Sequence, residues 1–256
     1  MTEHVKITVD EGVLILTLNR PEKKNALTKA MYKTLSEALE DAQNDPQTRV
    51  VLIRGEGGVF TAGNDLADFA AINQADPNAP RESNPFILSL ARVKKPLVAA
   101  VNGMAIGIGT TMLLHCDLVF VADDAKLSTP FVNLALVPEA ASSLLLQQRI
   151  GYSRAFAMFA TGEPVLGELA ARIGLANQAL PSAEVDAAAL AAAKALARKP
   201  MGSLIATKQL MRDSELLLGI MAREGDIFTD RLKTTEAAEA FQAFAERRAP
   251  DFTRVS

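Results

Sequence analysis

The chain has 256 residues, 49% hydrophobic and 22% charged, with 27 Lys and Arg against 30 Asp and Glu for a formal charge of -3. A chain of that size buries a large core, as one big domain or two small ones, and its scattered basic residues exclude nucleic-acid or anionic-membrane binding as its main business. Cys116 is the one cysteine, which excludes an intramolecular disulfide, and the two distant histidines, His4 and His115, give no zinc spacing, so no metal is expected.

The start, "MTEHVKITVDEG", is acidic and strand-like at once, which fits neither a signal nor a transit peptide. Strands are predicted at "VKITVD", "VLILTLN", "RVVLIRG", "PLVAAVNG" and "DLVFVAD", with helical spacing of Leu, Ala and Met between them. That alternation predicts an α/β layer structure with a buried sheet. The first helix is expected in "ALTKAMYKTLSEALEDAQND", with Thr28 as N-cap and Pro46 at its end. The polar stretch 73–85, "NQADPNAPRESNP", reads as a mobile loop or lid flank. His115 and Cys116 close the apolar run "GTTMLLHCDLVF" and read as a helix-end histidine and a small buried thiol.

From about residue 152 strands nearly vanish, and helices are predicted in "AEVDAAALAAAKALARK", "GSLIATKQLMRDSELLLGIMAREGDIFTDRL" and "TEAAEAFQAFAERRAP". Their apolar stripes must cover the sheet or another subunit. The ending "DFTRVS" is not a Ser-Lys-Leu address and no apolar run reaches the length of a membrane span. A cytoplasmic protein is the expectation.

Two glycine turns stand out. In "VVLIRGEGGVFTAGNDLADF" a strand ends at Gly55 and a helix is expected near Asp65; in "PLVAAVNGMAIGIGTTMLLHCD" a strand ends near Asn102 and a helix follows Gly107 to Gly109. Each exposes backbone N–H groups at a helix start, which suits an anion or a developing oxyanion. Alternatively the glycines serve close strand-helix packing. "GIGTTM" lacks the third glycine of a dinucleotide fingerprint, and no Gly-Lys-Ser/Thr follows as in a phosphate loop.

Residues 134–151, "LALVPEAASSLLLQQRIG", set the carboxylate of Glu139 among Leu134, Leu136, Val137, Ala140 and Ala141. Such a group either turns to water or stays inside with a raised pKa and a role.

These motifs together resemble the crotonase, or enoyl-CoA hydratase/isomerase, superfamily over essentially the whole chain. The resemblance rests on "LNRPEKKNALT", "FTAGNDL", "VNGMAIGIGTTMLLHCDLVFVADDAKLSTPFVNLALVPE" and "EAFQAFAERRAPDF". It implies an α/β spiral of strand-strand-helix turns over residues 1–195 and a helical trimerisation region over 196–256. It implies an acyl-CoA thioester as substrate, with coenzyme A part of that substrate and no separate cofactor, and a homotrimer or dimer of trimers. By motif position, the backbone N–H groups of Asn64 and Ile108 would hold the thioester oxygen, a contribution of about 2.7–4 kcal/mol per donor in such oxyanion holes. Coenzyme A would lie near Lys23, Lys24, Ala26, Ala62, Asp65 and Leu66, although the lysine pair also fits a solvated turn. Phe131, Leu134 and Phe86 are candidates for the acyl site, or core.

Where family hydratases carry two glutamates, this chain has Thr111 and Phe131. The resemblance narrows to the monofunctional delta-3,delta-2-enoyl-CoA isomerases, in which a single glutamate, here Glu139, moves a proton from C2 to C4 of a dienolate. Asp117 is expected as a structural cap, and Ser142 and Ser143 as caps of the next helix rather than nucleophiles, since no histidine is placed to activate them. Hydration, a ring-type isomerisation of an aromatic acyl-CoA, and a catalytically silent acyl-CoA-binding protein are the rival readings.

The apolar C-terminal helices generate one prediction. Sedimentation of the purified protein should give a homo-oligomer, and a single monomeric species would contradict it.

Overall fold

The structure, a computed structural model, describes residues 2–65 and 84–255. The first strands, Val5–Asp10 (β1) and Val13–Leu18 (β2), form an antiparallel pair with Val5 opposite Leu18 and Asp10 opposite Val13. β1 is the edge and leaves Ile7 and Val9 in solvent, whereas every residue of β2 is buried. Parallel strands then add outward: Val50–Gly55 (β3) on β2, Leu97–Val101 (β4) on β3 and Leu118–Ala122 (β6) on β4, with Gln178–Leu180 (β9) at the far edge. A parallel sheet is covered on both faces. That explains why β2 and β4 read as unbroken apolar runs rather than alternating ones.

Three short strands make a second sheet in the order β5-β7-β8: Met104–Ile106, Lys126–Ser128 and Val165–Leu166. Sequence reading missed them, because two- and three-residue strands hold no measurable periodicity. They supply the step of the spiral. Each long strand is followed by a short one in the second layer: β4 by β5 and β6 by β7, and after β3 Thr61 bridges Ala105 of β5 in the same way. The expected strand-strand-helix spiral is therefore present.

Helix Lys29–Asn44 (α1) starts as anticipated, with Thr28 Oγ1 accepting from the Met31 N–H at 3.3 Å. It buries Met31, Tyr32, Leu35, Leu39 and Ala42, one face at helical spacing. Helix Pro85–Arg92 (α2) packs on α1. The stretch 73–85 lies outside the described residues except at its end, where Asn84 caps α2 and Pro85 opens it. After β5 comes one helical turn, Ile108–Thr111 (α3), running into a 3-10 segment, Met112–His115. Next are Ser142–Ile150 (α4), Tyr152–Thr161 (α5) and Gly167–Arg172 (α6). Helix Ser182–Ala197 (α7) crosses the sheet over β3, β4 and β6; Val185, Ala189, Ala193 and Ala197 are its buried face, and three alanines there let the helix lie close.

The last helices are Met201–Met211 (α8), Ser214–Leu232 (α9) and Thr235–Glu246 (α10). None of α8 is buried, and Leu210 and Met211 are 90% and 82% exposed. α9 returns over the core, where Leu217 and Met221 meet Ala91 and Ala141, and Leu232 meets Phe131 and Leu136.

The loop between β2 and α1 is tied to the loop after β3 by one buried side chain. Asn25, held at φ 54°, accepts from the Arg20 N–H (2.7 Å) and donates to the carbonyls of Glu56 (2.9 Å) and Val59 (2.6 Å). The Thr61 hydroxyl donates to its carbonyl at 2.7 Å. Asn25→Ala leaves buried backbone groups without partners and puts a less tolerant residue at positive φ. The expected cost is about 2–4 kcal/mol, read as a lower urea midpoint at unchanged slope.

Candidate active site

Both glycine turns end beside each other because two glycines permit it. A Cβ on Gly63, at φ 92°, would stand 2.8 Å from the Ile106 carbonyl oxygen, and one on Gly109 would stand 2.6 Å from the Thr61 methyl. In the first turn, the Leu27 N–H donates to Gly63 O (2.8 Å) and the Asp65 N–H to Leu27 O (2.9 Å), bracketing Asn64. In the second, the Gly107 N–H donates to Ser128 O at 2.9 Å, and the Gly107 carbonyl accepts from Thr110 and Thr111. The buried Thr110 hydroxyl braces the same turn at Ala105 O (2.5 Å) and Ser128 O (3.0 Å). Ile108 is then the first residue of α3. Among the described residues, neither the Asn64 nor the Ile108 N–H has an acceptor. The first N–H groups of a helix have no intrahelical partner, so the free Ile108 donor follows from its position.

Glu139 stands between a 3-10 turn, Val132–Leu134, and α4. The residue is half-buried, but its Oε1 is out of solvent and has no hydrogen-bond partner among the described residues. Its pKa is raised from 4.5 to about 7, first by burial and second by the negative charge of Glu224. Tyr32, presented by α1, links this carboxyl to the first turn: its hydroxyl donates to the Asn64 side-chain oxygen. Burial, followed by the charge of Glu139, pushes the phenol well above its usual range.

The backbone beyond Glu139 is unusual, with Ala140 at φ 60° and Ala141 at φ 56°. His115 anchors the first of these. Its Nδ1 takes a hydrogen bond from the Arg212 guanidinium, so Nε2 carries the proton and donates to Ala140 O at 2.7 Å. Burial, followed by the Arg212 charge, lowers its pKa to about 3, so His115 is neutral. Cys116 is a buried thiol pushed up to about 12, chiefly by burial, which makes it inert as a nucleophile. Asp117 is structural, accepting from the Leu97 N–H (2.7 Å) and Lys208 Nζ (2.6 Å).

The structure places the remaining sequence candidates as follows. Lys23 and Lys24 are exposed on a turn against the Asn64 loop, with the Ala62 N–H donating to Lys24 O at 2.9 Å and the Ala26 N–H to Lys23 O at 3.0 Å. Asp65 pairs with Arg20 at 2.5 Å, so its carboxylate braces the turn. Leu66 lies outside the described residues. Phe131 and Leu134 join an apolar cluster with Leu136 and Leu232, the Phe131 ring 6.1 Å from that of Phe159. Phe86 is fully buried and backs Tyr32 at 5.8 Å between ring centroids; it supports the wall behind the phenol rather than facing a ligand. The two serines do not cap α4. Ser142 Oγ is buried without a partner among the described residues, and Ser143 gives its N–H to Glu224. Among the described residues no three His, Cys, Asp or Glu side chains gather as a metal site.

A family model described as "Enoyl-CoA hydratase/isomerase" matches residues 8–255. The chain belongs to the enoyl-CoA hydratase/isomerase family. It is 34% identical to the 2,3-dehydroadipyl-CoA hydratase of Escherichia coli over 96% of this chain and 97% of that one. It is 30% identical to the enoyl-CoA delta isomerase 2 of Rattus norvegicus over 95% of this chain and 64% of that one. A crystal structure of an enoyl-CoA hydratase/isomerase from Pseudoalteromonas atlantica superposes with a TM-score of 0.90 at 37% identity, covering 98% of this chain and 100% of that chain. Family members of both hydratase and isomerase name thus resemble the chain. Chemistry must therefore be argued from the side chains at the site.

Tyr32, Asn25 and Glu224 were missed from the sequence. A lone Tyr on an amphipathic helix and a Glu in a C-terminal one carry no local signal; only packing brings them here.

The Glu139 shift generates a pH prediction. Unfolded, the carboxyl ionises near 4.5; folded, it does so at about 7. The unfolded chain therefore gains by ionising first, and stability falls as pH rises from 4.5 to about 7 and stays lower above it. Glu139→Gln lacks this loss. Its stability relative to wild type should rise by roughly 3 kcal/mol between about pH 4 and pH 8, at ~1.4 kcal/mol per unit, measured by urea unfolding at both pH values.

Proposed function

We propose that the protein is a delta-3,delta-2-enoyl-CoA isomerase in which Glu139 is the proton shuttle. One observation carries the reading: among the described residues the uncommitted buried carboxyl at the two turns is Glu139, while the two hydratase glutamate positions hold Thr111 and Phe131. Thr111 is fully buried and Phe131 sits among apolar side chains, so neither moves a proton in hydration.

In this mechanism the Glu139 carboxylate removes a proton from C2 of a 3-enoyl thioester. Negative charge passes to the thioester oxygen, which accepts from the Asn64 and Ile108 N–H groups. The protonated Glu139 returns the same proton at C4, and the double bond ends between C2 and C3. One base serves both carbons because they lie on one side of a planar dienolate. A carboxyl with pKa near 7 suits both steps, being a stronger base than an ordinary glutamate and a competent acid afterwards. Burial also keeps the proton from bulk water.

Coenzyme A is placed along the turn that carries Lys23, Lys24, Ala26 and Ala62, and the acyl chain toward Phe131 and Leu134. The helical region 196–256 is assigned to assembly into trimers or pairs of trimers, and the cytoplasm is the compartment that fits a CoA-dependent reaction. Hydration is the second reading, favoured by the hydratase named among the relatives.

A paired assay separates the two. With 3-hexenoyl-CoA, double-bond migration is expected, and with crotonyl-CoA no net addition of water; hydration without migration would overturn the isomerase reading. Glu139→Gln should lower the migration rate by roughly 10²- to 10⁴-fold while leaving CoA affinity and oligomeric state unchanged. Full activity in that variant removes Glu139 from the mechanism.

A further inference from the structure

Glu224 belongs to α9, far from either glycine turn in sequence, yet it is only 7% exposed. Its two oxygens are spent on one corner of the chain. Oε2 accepts from the Ala141 N–H at 2.6 Å, 83 residues away, and Oε1 from the Ser143 N–H at 2.9 Å. Ala141 occupies the N-cap position of α4, where it has no side-chain oxygen to offer. Glu224 supplies the missing cap from another element, and a carboxylate suits the positive end of a helix.

The same corner aims Glu139. Two successive alanines in the left-handed region cost roughly 1–2 kcal/mol each, so something must hold them there. The Glu139 carbonyl accepts from the Ser142 N–H at 3.0 Å, the Ala140 carbonyl from His115 at 2.7 Å, and the Ala141 N–H donates to Glu224. Three consecutive residues are thereby pinned from three directions. Resting on the proton-shuttle reading, we infer that Glu224 is a positioning residue for Glu139: it locks the Ala140–Ala141 corner and places a second carboxylate beside the shuttle.

That second carboxylate has a chemical consequence. The charged group facing Glu139 from α9 is Glu224, and the titratable one from α1 is Tyr32; His115, reaching the corner from the 3-10 segment, is neutral. Like charges disfavour each other's ionisation, so Glu224 adds to the effect of burial on Glu139. Burial raises the pKa of Glu224 itself, and its two N–H donors and the Ser143 hydroxyl offset part of that rise. The pair divides the work: Glu224 stays committed to N–H groups, and Glu139 is left with the proton.

Glu224→Gln tests this, since it removes the charge and keeps an oxygen for one of the two N–H groups. In the isomerase assay, kcat should fall at least about 10-fold with KM little changed, and the acidic limb of kcat/KM should move to lower pH by about half a unit or more. A kcat within about twofold of wild type with an unmoved limb overturns the proposal. Carboxyl carbon-13 NMR of glutamate-labelled protein, with Glu139 assigned by its absence in Glu139→Gln, gives a reading without substrate. If wild type shows no isomerase activity, the function fails on its own; a lower Glu139 titration in Glu224→Gln still supports the positioning role, and an unchanged one overturns it. Should that variant not fold, Glu224→Asp carries the test, because it keeps the charge but falls short of the corner. Reduced kcat at an unshifted limb is expected, and undiminished kcat overturns the proposal.

Discussion

A carboxyl buried without a hydrogen-bond partner is an uncompensated cost of folding, of the kind that globular chains avoid unless something is gained from it. Glu139 Oε1 is such a group. Its neighbours spend their polar atoms elsewhere: Tyr32 on Asn64, Glu224 on two N–H groups, His115 on a carbonyl. Each of these is satisfied, and among the described residues Glu139 Oε1 is not. The site is therefore a ring of committed groups around one uncommitted one, which is how a carboxyl comes to hold a proton near neutral pH.

Holding the ring together falls to the spiral. Parallel pairing of β3, β4 and β6 brings their carboxyl ends to one side, and the short second-layer strands redirect the chain at that side. Open parallel sheets bind ligands outside the carboxyl ends of their strands for the same reason. Here the two turns approach closely enough that Gly63 and Gly109 have no room for a side chain. Two donors held this rigidly need little reorganisation when charge develops between them, which is the basis of oxyanion stabilisation. Asn25 adds the third loop to this group, tying the turn that carries Lys23 and Lys24 to the loop that leads to Asn64.

Family membership does not fix the reaction. In the proposed reading Thr111 and Phe131 draw the distinction, because a threonine and a phenylalanine in place of carboxylates change which atoms can exchange protons while leaving the spiral unaltered. The C-terminal helices also reach the site, since α9 lays Leu217, Met221 and Glu224 over the corner that carries Glu139.

Much of this was legible in the chain itself. The five long strands, the Thr28-capped helix and the helical C-terminal part follow from periodicity and caps, which are local properties. Glu139 was conspicuous as a charge in an apolar run, the glycines marked the two turns, and the family resemblance put the expected donors on Asn64 and Ile108. Four short strands, β5, β7, β8 and β9, escaped, because two or three residues carry no period. Ser142 and Ser143 were misread as caps, since local sequence cannot show that a glutamate 81 residues from Ser143 already occupies that place. Sequence by itself determined the long elements and the family, and made Glu139 conspicuous as a carboxyl in an apolar run. Tertiary structure alone decided that Glu139 Oε1 has no partner among the described residues, that Tyr32, His115 and Glu224 lie around it and that the two turns touch. Burial and close approach are properties of segments distant along the chain, and no stretch of sequence contains both partners.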